Sequence, residues 1–506
     1  MAATGAETCE GGYMQIIARK VGTDEAALRF LISMFAGYPL AIFLRDNLHD
    51  TSATTKHLFI SAVGLAISYF NYGMDTKYLL FCSLVNYIVL TLAGGTGASV
   101  IFSFVFNVGY LLVSYAIYAS NDYDMNWTTP QCILTLRMIS VAYDLYDGHT
   151  PVEKLSPEQK SLCFKEPPGP LEMVSYSFFF GYLLTGPQCP LRQYRDYMDG
   201  NLLDNESGKP SDTLQPAMKI LGIGMIYFLV EILIVPSFTA SYLLTEEFAQ
   251  SSFLYKLFYI SLFGRFTINK YVTFWLISEG VCILSGIAYT GKDKAGKAKF
   301  TSCSGIKPLA FETALSVRDM VATFNISTNT WLARYVYKRL KFLGNRYVSQ
   351  IVSLMFLAAW HGLHIGYYNN FILEFFIVMF DVQATELFTK VPVLNKLSQH
   401  RLLALVKLLV LKFLMLLFMG YPLVSFVLLR WSKIHAVYKE VYYIGHIFFL
   451  LLWPILSFGV IMPRFKAHRR KSKENARGKS GFVIPCTCRN PSQVNTMRGQ
   501  EDAKTK

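Results

Sequence analysis

Charge is scarce along most of this chain, and that scarcity, with several other absences, narrows its chemistry. Of 506 residues, 16% are Asp, Glu, Lys or Arg, against about 25% in an average soluble domain. The nine cysteines stand singly apart from Cys486-Thr-Cys488. No CxxC pair or Cys/His spacing offers a zinc site, so no metal is expected, and the odd count argues against a complete disulfide framework. Cys82, Cys132 and Cys282 fall inside apolar runs, where a small polarizable side chain packs. The repeated HxxxH or HxxHH boxes of a di-iron desaturase are lacking, because His361-x-x-His364 is a single pair. Nor does the chain carry the internal repeats with broken helices in both halves that mark a secondary transporter. No Ser or Cys has the setting of an activated nucleophile. The first 25 or so residues are polar and mixed, so no cleaved signal peptide is expected.

What fills the chain instead is apolar. Hydrophobic residues make up 53% of it, gathered into runs of the length that a hydrocarbon slab of about 30 Å demands. These run from Leu28 to Leu44, then at about 58–73, 79–95, 100–119, 217–243, 253–290, 347–368, 370–380, 402–430 and 440–462. The 253–290 run is too long for one span, and Gly264-Arg265 is the expected break. The fold class is therefore all-α and polytopic, with a polar segment 1–25, a membrane domain 26–463 and a basic, polar tail 464–506. The formal net charge is +14, and the tail holds Arg464, Lys466, Arg469, Arg470, Lys471 and Lys473. By the positive-inside rule the tail is expected to be cytosolic, with the lysine-rich stretch 292–307 on the same side. Such charge suits an anionic lipid leaflet. It gathers on no soluble domain that would grip a nucleic acid.

Polar residues inside apolar runs are expensive, so each needs a reason. Arg137 and Asp144 lie two helical turns apart in the segment Gln131–Tyr146, which puts them on one face as a structural pair between helices or, less simply, a catalytic carboxylate. Met173–Pro187 reads as an aromatic helix stopped by Gly186-Pro187. Phe324-Asn325-Ile326-Ser327 is neither apolar enough to span nor placed like a surface loop, and reads as a re-entrant turn. After it Trp331, Tyr335 and Leu340 alternate helically with Arg334, Lys338, Arg339 and Lys341. That is a basic interfacial helix, whose cationic face suits either phosphates or anionic head groups. His361 and His364 sit mid-run, interleaved with Gly362 and Gly366. The small residues leave room for something long to pass, and His361 reads as a general base, a metal ligand or a histidine hydrogen-bonded between helices. His446, in Tyr443-Ile-Gly-His-Ile-Phe448, is its rival. Sequons stand at Asn126, Asn205 and Asn325, of which the first two fit one lumenal side and the third is expected to stay unmodified.

Four stretches in order resemble the membrane-bound O-acyltransferases: Phe179-Phe-Gly-Tyr-Leu-Leu-Thr-Gly-Pro187, Phe324-Asn-Ile-Ser-Thr-Asn-Thr-Trp331, Arg334-Tyr-Val-Tyr-Lys-Arg339, and Trp360-His-Gly-Leu-His-Ile-Gly-Tyr367. Leu134–Gly148 is similar to the lysophospholipid-acylating branch. The similarity covers about residues 25–465. It implies about eleven membrane helices around a tunnel, with His361 the catalytic histidine and Asn325 its paired asparagine. Trp360, Gly362, His364 and Trp331 are then expected beside the substrates, with Arg334, Lys338, Arg339 and Lys341 toward phosphate. It implies acyl-CoA as co-substrate, with no further cofactor, a lysophospholipid acceptor, residence in the endoplasmic reticulum membrane, and leaves homo-oligomerisation open. Other acceptors used within the same family, such as a sterol, a diacylglycerol or a peptide, remain the alternative. Only Lys504 and Lys506 stand near the end, which departs from a dilysine retrieval signal.

Overall fold

The computed structural model describes residues 12–118, 126–202, 212–390 and 404–461. The expectations for the basic tail and for the Asn205 sequon lie outside these residues. The chain divides into a unit spanning residues 1–447 and a second from 448 onward. The described part of the second is a short helical run, Trp453–Leu456 between wider π-type turns.

Among the described residues of the first unit the architecture is helical, with one two-stranded hairpin, Tyr289–Lys292 against Ala298–Phe300. Five stretches among the described residues are long and apolar enough to cross a membrane: Glu25–Asn47, Ala53–Ala93, Gly97–Tyr118, Leu214–Leu244 and Leu405–Leu428. Their starts follow capping chemistry where the chain leaves a polar turn. Asp24 accepts from the Ala27 amide and Ser52 from that of Thr55, each satisfying a donor the first turn leaves orphaned. Their packing inverts the soluble pattern. On Gly97–Tyr118 the buried stripe is Ser99, Ser103, Asn107, Leu111 and Ser114, while Ile101, Val105 and Ile117 are exposed. Polar groups turn inward because hydrocarbon cannot satisfy them. Asn86 and Asn107 exchange amide hydrogen bonds at 3.0 and 2.8 Å.

The helix Thr128–Gly148 is enclosed along nearly its whole length and is the post on which the rest hangs. Of its three charged residues, Arg137 and Asp144 are not partners of one another. Arg137 lies over the Tyr182 ring at 4.0 Å and donates to the Tyr182 carbonyl at 2.5 Å, while Asp144 accepts from the Tyr335 hydroxyl at 2.9 Å. Each serves a different neighbour, which seven-residue spacing alone does not reveal. The Arg137 contact also explains why the expected helix 173–187 ends early. It covers only Pro170–Ser177, and the following aromatic stretch is irregular backbone in which Arg137 takes carbonyls of Ser177 and Tyr182.

Two other expectations shift. The long run at 253–290 breaks at Ile268, between Phe253–Thr267 and Asn269–Ser285, rather than at Gly264. That glycine packs on Gly420, where an added Cβ would stand 2.1 Å from a Cα. It is a helix-crossing contact of the small-residue kind. The run 347–368 is likewise two helices, Arg346–His361 and Ile365–Lys390, so the histidine pair marks a break, not a mid-span.

Candidate active site

Gly362 makes that break. Its φ of +145° is a conformation L side chains rarely adopt, and a Cβ there would meet the Tyr367 ring at 2.8 Å. A Cβ on Gly366 would come within 2.1 Å of the Ser425 carbonyl. Both glycines face protein rather than an open passage. His361 is thereby left as the last residue of its helix, its ring stacked on Phe371 at 5.4 Å, edge-on to Phe426 at 5.0 Å and tilted to Tyr367 at 5.7 Å. Its imidazole nitrogens have no hydrogen-bond partner among the described residues. His446 is the opposite case: Nδ1 meets the Tyr421 hydroxyl at 2.9 Å and Nε2 meets Asn369 Oδ1 at 3.2 Å. Both its nitrogens are spent on structure. The His364 ring lies 6.4 Å from that of Tyr367, and its imidazole has no hydrogen-bond partner among the described residues.

Asn325 also sits at a break. The helix Val317–Thr323 ends, and Ile326–Tyr335 begins. Between them Asn325 adopts the left-handed conformation, φ 45° and ψ 46°, which asparagine tolerates better than most residues. Although it stands at the N-cap, its side chain makes no capping bond. The backbone beside it is fixed instead, with Ile326 N–H donating to the Gly305 carbonyl at 2.9 Å. The Asn325 side chain has no hydrogen-bond partner among the described residues.

Both breaks are anchored to the central helix by tryptophan. Trp331 Nε1 donates to the Leu136 carbonyl at 2.8 Å, and Trp360 Nε1 to the Cys132 carbonyl at 2.7 Å. Trp331, Trp360, Tyr367 and Phe371 share one buried cluster with Leu136 and Ile139. These two tryptophans hold the site rather than offering their indole N–H groups to a ligand. Asn325 and His361 make no direct hydrogen bond.

The basic run also differs from a single amphipathic helix. The α-helix stops at Tyr335, and Tyr337–Leu343 is a 3₁₀ segment. Three of its four cations meet acids that sequence distance conceals. Arg334 Nε lies 2.7 Å from Glu158, Lys338 pairs with the same carboxylate, and Arg339 grips Asp147 through two bonds of 2.8 and 2.5 Å. Burial pushes the Glu158 carboxyl up, but bonds from Lys338 and Arg334 outweigh it and hold it below the usual glutamate value. Burial disfavours the Arg339 charge, and Asp147 more than restores it. Lys341 has no acid partner among the described residues. An open cavity of about 830 Å³ is bounded by Lys154, Glu158, Arg334, Lys338, Arg339 and Lys341. A second, of about 310 Å³, runs from Arg334 and Tyr335 past Gln188 and Thr330 to Ile326 and Ser327. Arg334 and Tyr335 border both, so polar space leads from the cationic face to the residues after Asn325.

A family model of the membrane-bound O-acyltransferases matches residues 112–430, which contains every residue of this site. The chain is 41% identical over 453 residues to human lysophospholipid acyltransferase 5, covering 89% of this chain and 93% of that one. It is 38% identical to the Drosophila melanogaster protein of the same name, covering 87% and 89%. A Schizosaccharomyces pombe lysophospholipid acyltransferase is 27% identical over 482 residues, covering 90% and 92%.

Proposed function

Because the chain belongs to the membrane-bound O-acyltransferase family, we infer that it is a lysophospholipid O-acyltransferase, moving a fatty acyl group from acyl-CoA to the free sn-2 hydroxyl of a lysophospholipid. Lysophosphatidylcholine is the favoured acceptor, with lysophosphatidylethanolamine and lysophosphatidylserine also used, and the reaction remodels phospholipids of the endoplasmic reticulum membrane. The observation that carries the assignment of roles is the contrast between two histidines. His446 has both ring nitrogens bonded to protein, whereas those of His361 are free for a substrate.

In this reading a His361 nitrogen accepts the proton of the acceptor hydroxyl as its oxygen attacks the thioester carbonyl. Such general-base help contributes typically ~10²–10⁴-fold. Negative charge then gathers on the carbonyl oxygen, where the Asn325 amide N–H group donates to it. As the tetrahedral centre collapses, the carbon–sulfur bond breaks, the imidazolium returns its proton, and CoA leaves as the thiol. Transfer is direct, without an acyl-enzyme. The aromatic cage around His361 keeps water from competing as nucleophile. Arg334, Lys338, Arg339 and Lys341 bind CoA phosphates, for which arginine supplies paired, charge-assisted bonds.

Purified protein given mixed lysophospholipids and mixed acyl-CoAs, with products read by mass spectrometry, tests the reading. Acylated phospholipid with release of free CoA is the expected result. Acylation of a sterol or diacylglycerol instead would replace the acceptor while leaving the chemistry.

A further inference from the structure

Beside the site lies a smaller cavity, of about 110 Å³, that the transfer chemistry does not use. Phe311, Phe324 and Phe418 line it together with aliphatic side chains such as Met320 and Ile377, and two polar side chains, Asn370 and Glu374, border it. These two are four residues apart on the helix Ile365–Lys390 and therefore share a face. Neither has a hydrogen-bond partner among the described residues, although Asn370 is only 5% exposed. Glu374 is partly buried, and a carboxyl set among apolar side chains without a partner costs free energy. The cavity adjoins both halves of the site. Phe324 immediately precedes Asn325, and Phe371, next to Asn370, stacks on the His361 ring at 5.4 Å.

The wall chemistry selects the occupant. A carboxylate opposite aromatic rings is the arrangement that holds an ammonium cation, above all a quaternary one. Phe311 and Phe324 lie 5.5 Å apart, and Trp275 stands edge-on behind Phe324 at 5.1 Å, fixing that face. The Arg265 guanidinium, 5.8 Å from the Phe311 ring, pairs with Glu312. A divalent metal is a poor fit, since one carboxylate falls short of the six to eight oxygens calcium takes. An acyl chain has no use for a carboxyl. An apolar cavity of ~150 Å³ takes benzene, so this one takes a group of roughly five heavy atoms, the size of a trimethylammonium head with its first methylene.

We propose that Glu374, with Asn370 and the surrounding phenylalanines, forms an ammonium subsite that recognises the cationic head group of the acceptor lipid. The proposal rests on the lysophospholipid reading, since that head group is joined to the sn-2 hydroxyl by a short chain of bonds and both must be held at once. Choline is preferred over ethanolamine. A primary ammonium needs three acceptors, and here only Glu374 and the Asn370 oxygen are at hand.

The test compares lysophosphatidylcholine with lysophosphatidate, which has the phosphate and no amine. In Glu374→Gln, the ratio of kcat/KM for the first over the second should fall roughly tenfold, mainly through KM; Phe418→Leu should lower the same ratio less. An unchanged ratio, whether activity is kept or lost for both acceptors, overturns the proposal. Binding gives a readout independent of turnover: hexadecylphosphocholine should raise the thermal midpoint of the full chain more than hexadecyl phosphate, and Glu374→Gln should erase the difference. That difference in a protein that acylates no lysolipid would support the subsite while refuting the acyltransferase reading. Equal binding of both probes to the unsubstituted protein overturns the subsite alone.

Discussion

Trp331 and Trp360 donate their indole N–H groups to carbonyls one helical turn apart, those of Leu136 and Cys132, at 2.8 and 2.7 Å. Two successive α-helices, Ile326–Tyr335 and Arg346–His361, are thereby registered on one buried post, and the residues at their ends, Asn325 and His361, inherit that register. Trp→Phe at either position keeps the ring and removes the donor. Each should cost about 0.5–1.5 kcal/mol of stability and lower kcat more than either KM, read from thermal midpoints and steady-state kinetics. A lowered midpoint with unchanged kcat would mean the bonds hold the fold without setting the site.

Glu158 occupies the cations assigned to CoA. If Arg334 and Lys338 hold phosphates, Arg334→Gln or Lys338→Gln should raise the apparent KM for acyl-CoA more than that for the lysolipid. Glu158→Gln should do the reverse and lower it by up to about fivefold, the worth of a partly exposed ion pair. Equal effects of the cation variants on both substrates would move these residues from CoA binding to folding.

The same carboxylate gives a pH signature. Its pKa is held below the ordinary glutamate value in the folded protein, so the pair contributes stability above the unfolded pKa and loses it as pH falls through the folded one. The difference in thermal midpoint between the unsubstituted protein and Glu158→Gln should be level from neutral pH to about 5. It should close only below ~4.3. A difference that vanished between pH 8 and 6 would point to a histidine instead.

Gly362→Ala tests the break. With φ at +145° and a ring 2.8 Å from the new Cβ, it should cost about 1–3 kcal/mol and most of the activity. Gly109→Ala, with open space around its Cβ, should leave the thermal midpoint unchanged or raise it. Similar outcomes for the two would contradict the backbone argument.

Helical membrane class was readable because apolar runs and lipid thickness share a length scale, and the motif stretches around Asn325 and His361 carried the family. What stayed hidden was partnership across sequence distance. Nothing local says that Arg137 serves the Tyr182 carbonyl rather than Asp144, or that Glu158 and Asp147 answer Arg334 and Arg339. Hydropathy likewise runs straight through His361, since it sums side chains and is blind to the φ that Gly362 adopts. Glu374 lies inside the run 370–380, which hydropathy reads as plain apolar, and its setting depends on Phe311 and Phe418, which line the same cavity from other helices.

The central claim is that His361 is the base and Asn325 its partner, and single-turnover transfer in purified variants tests it most directly. His361→Ala should abolish transfer while the protein accumulates and still binds acyl-CoA, because the lost interaction belongs to the transition state. Asn325→Ala should fall similarly, and the double variant should be little worse than either, as residues acting as a unit are non-additive. His446→Ala should lose stability more than chemistry. An active His361→Ala beside a well-folded but inactive His446→Ala would contradict the account at its root.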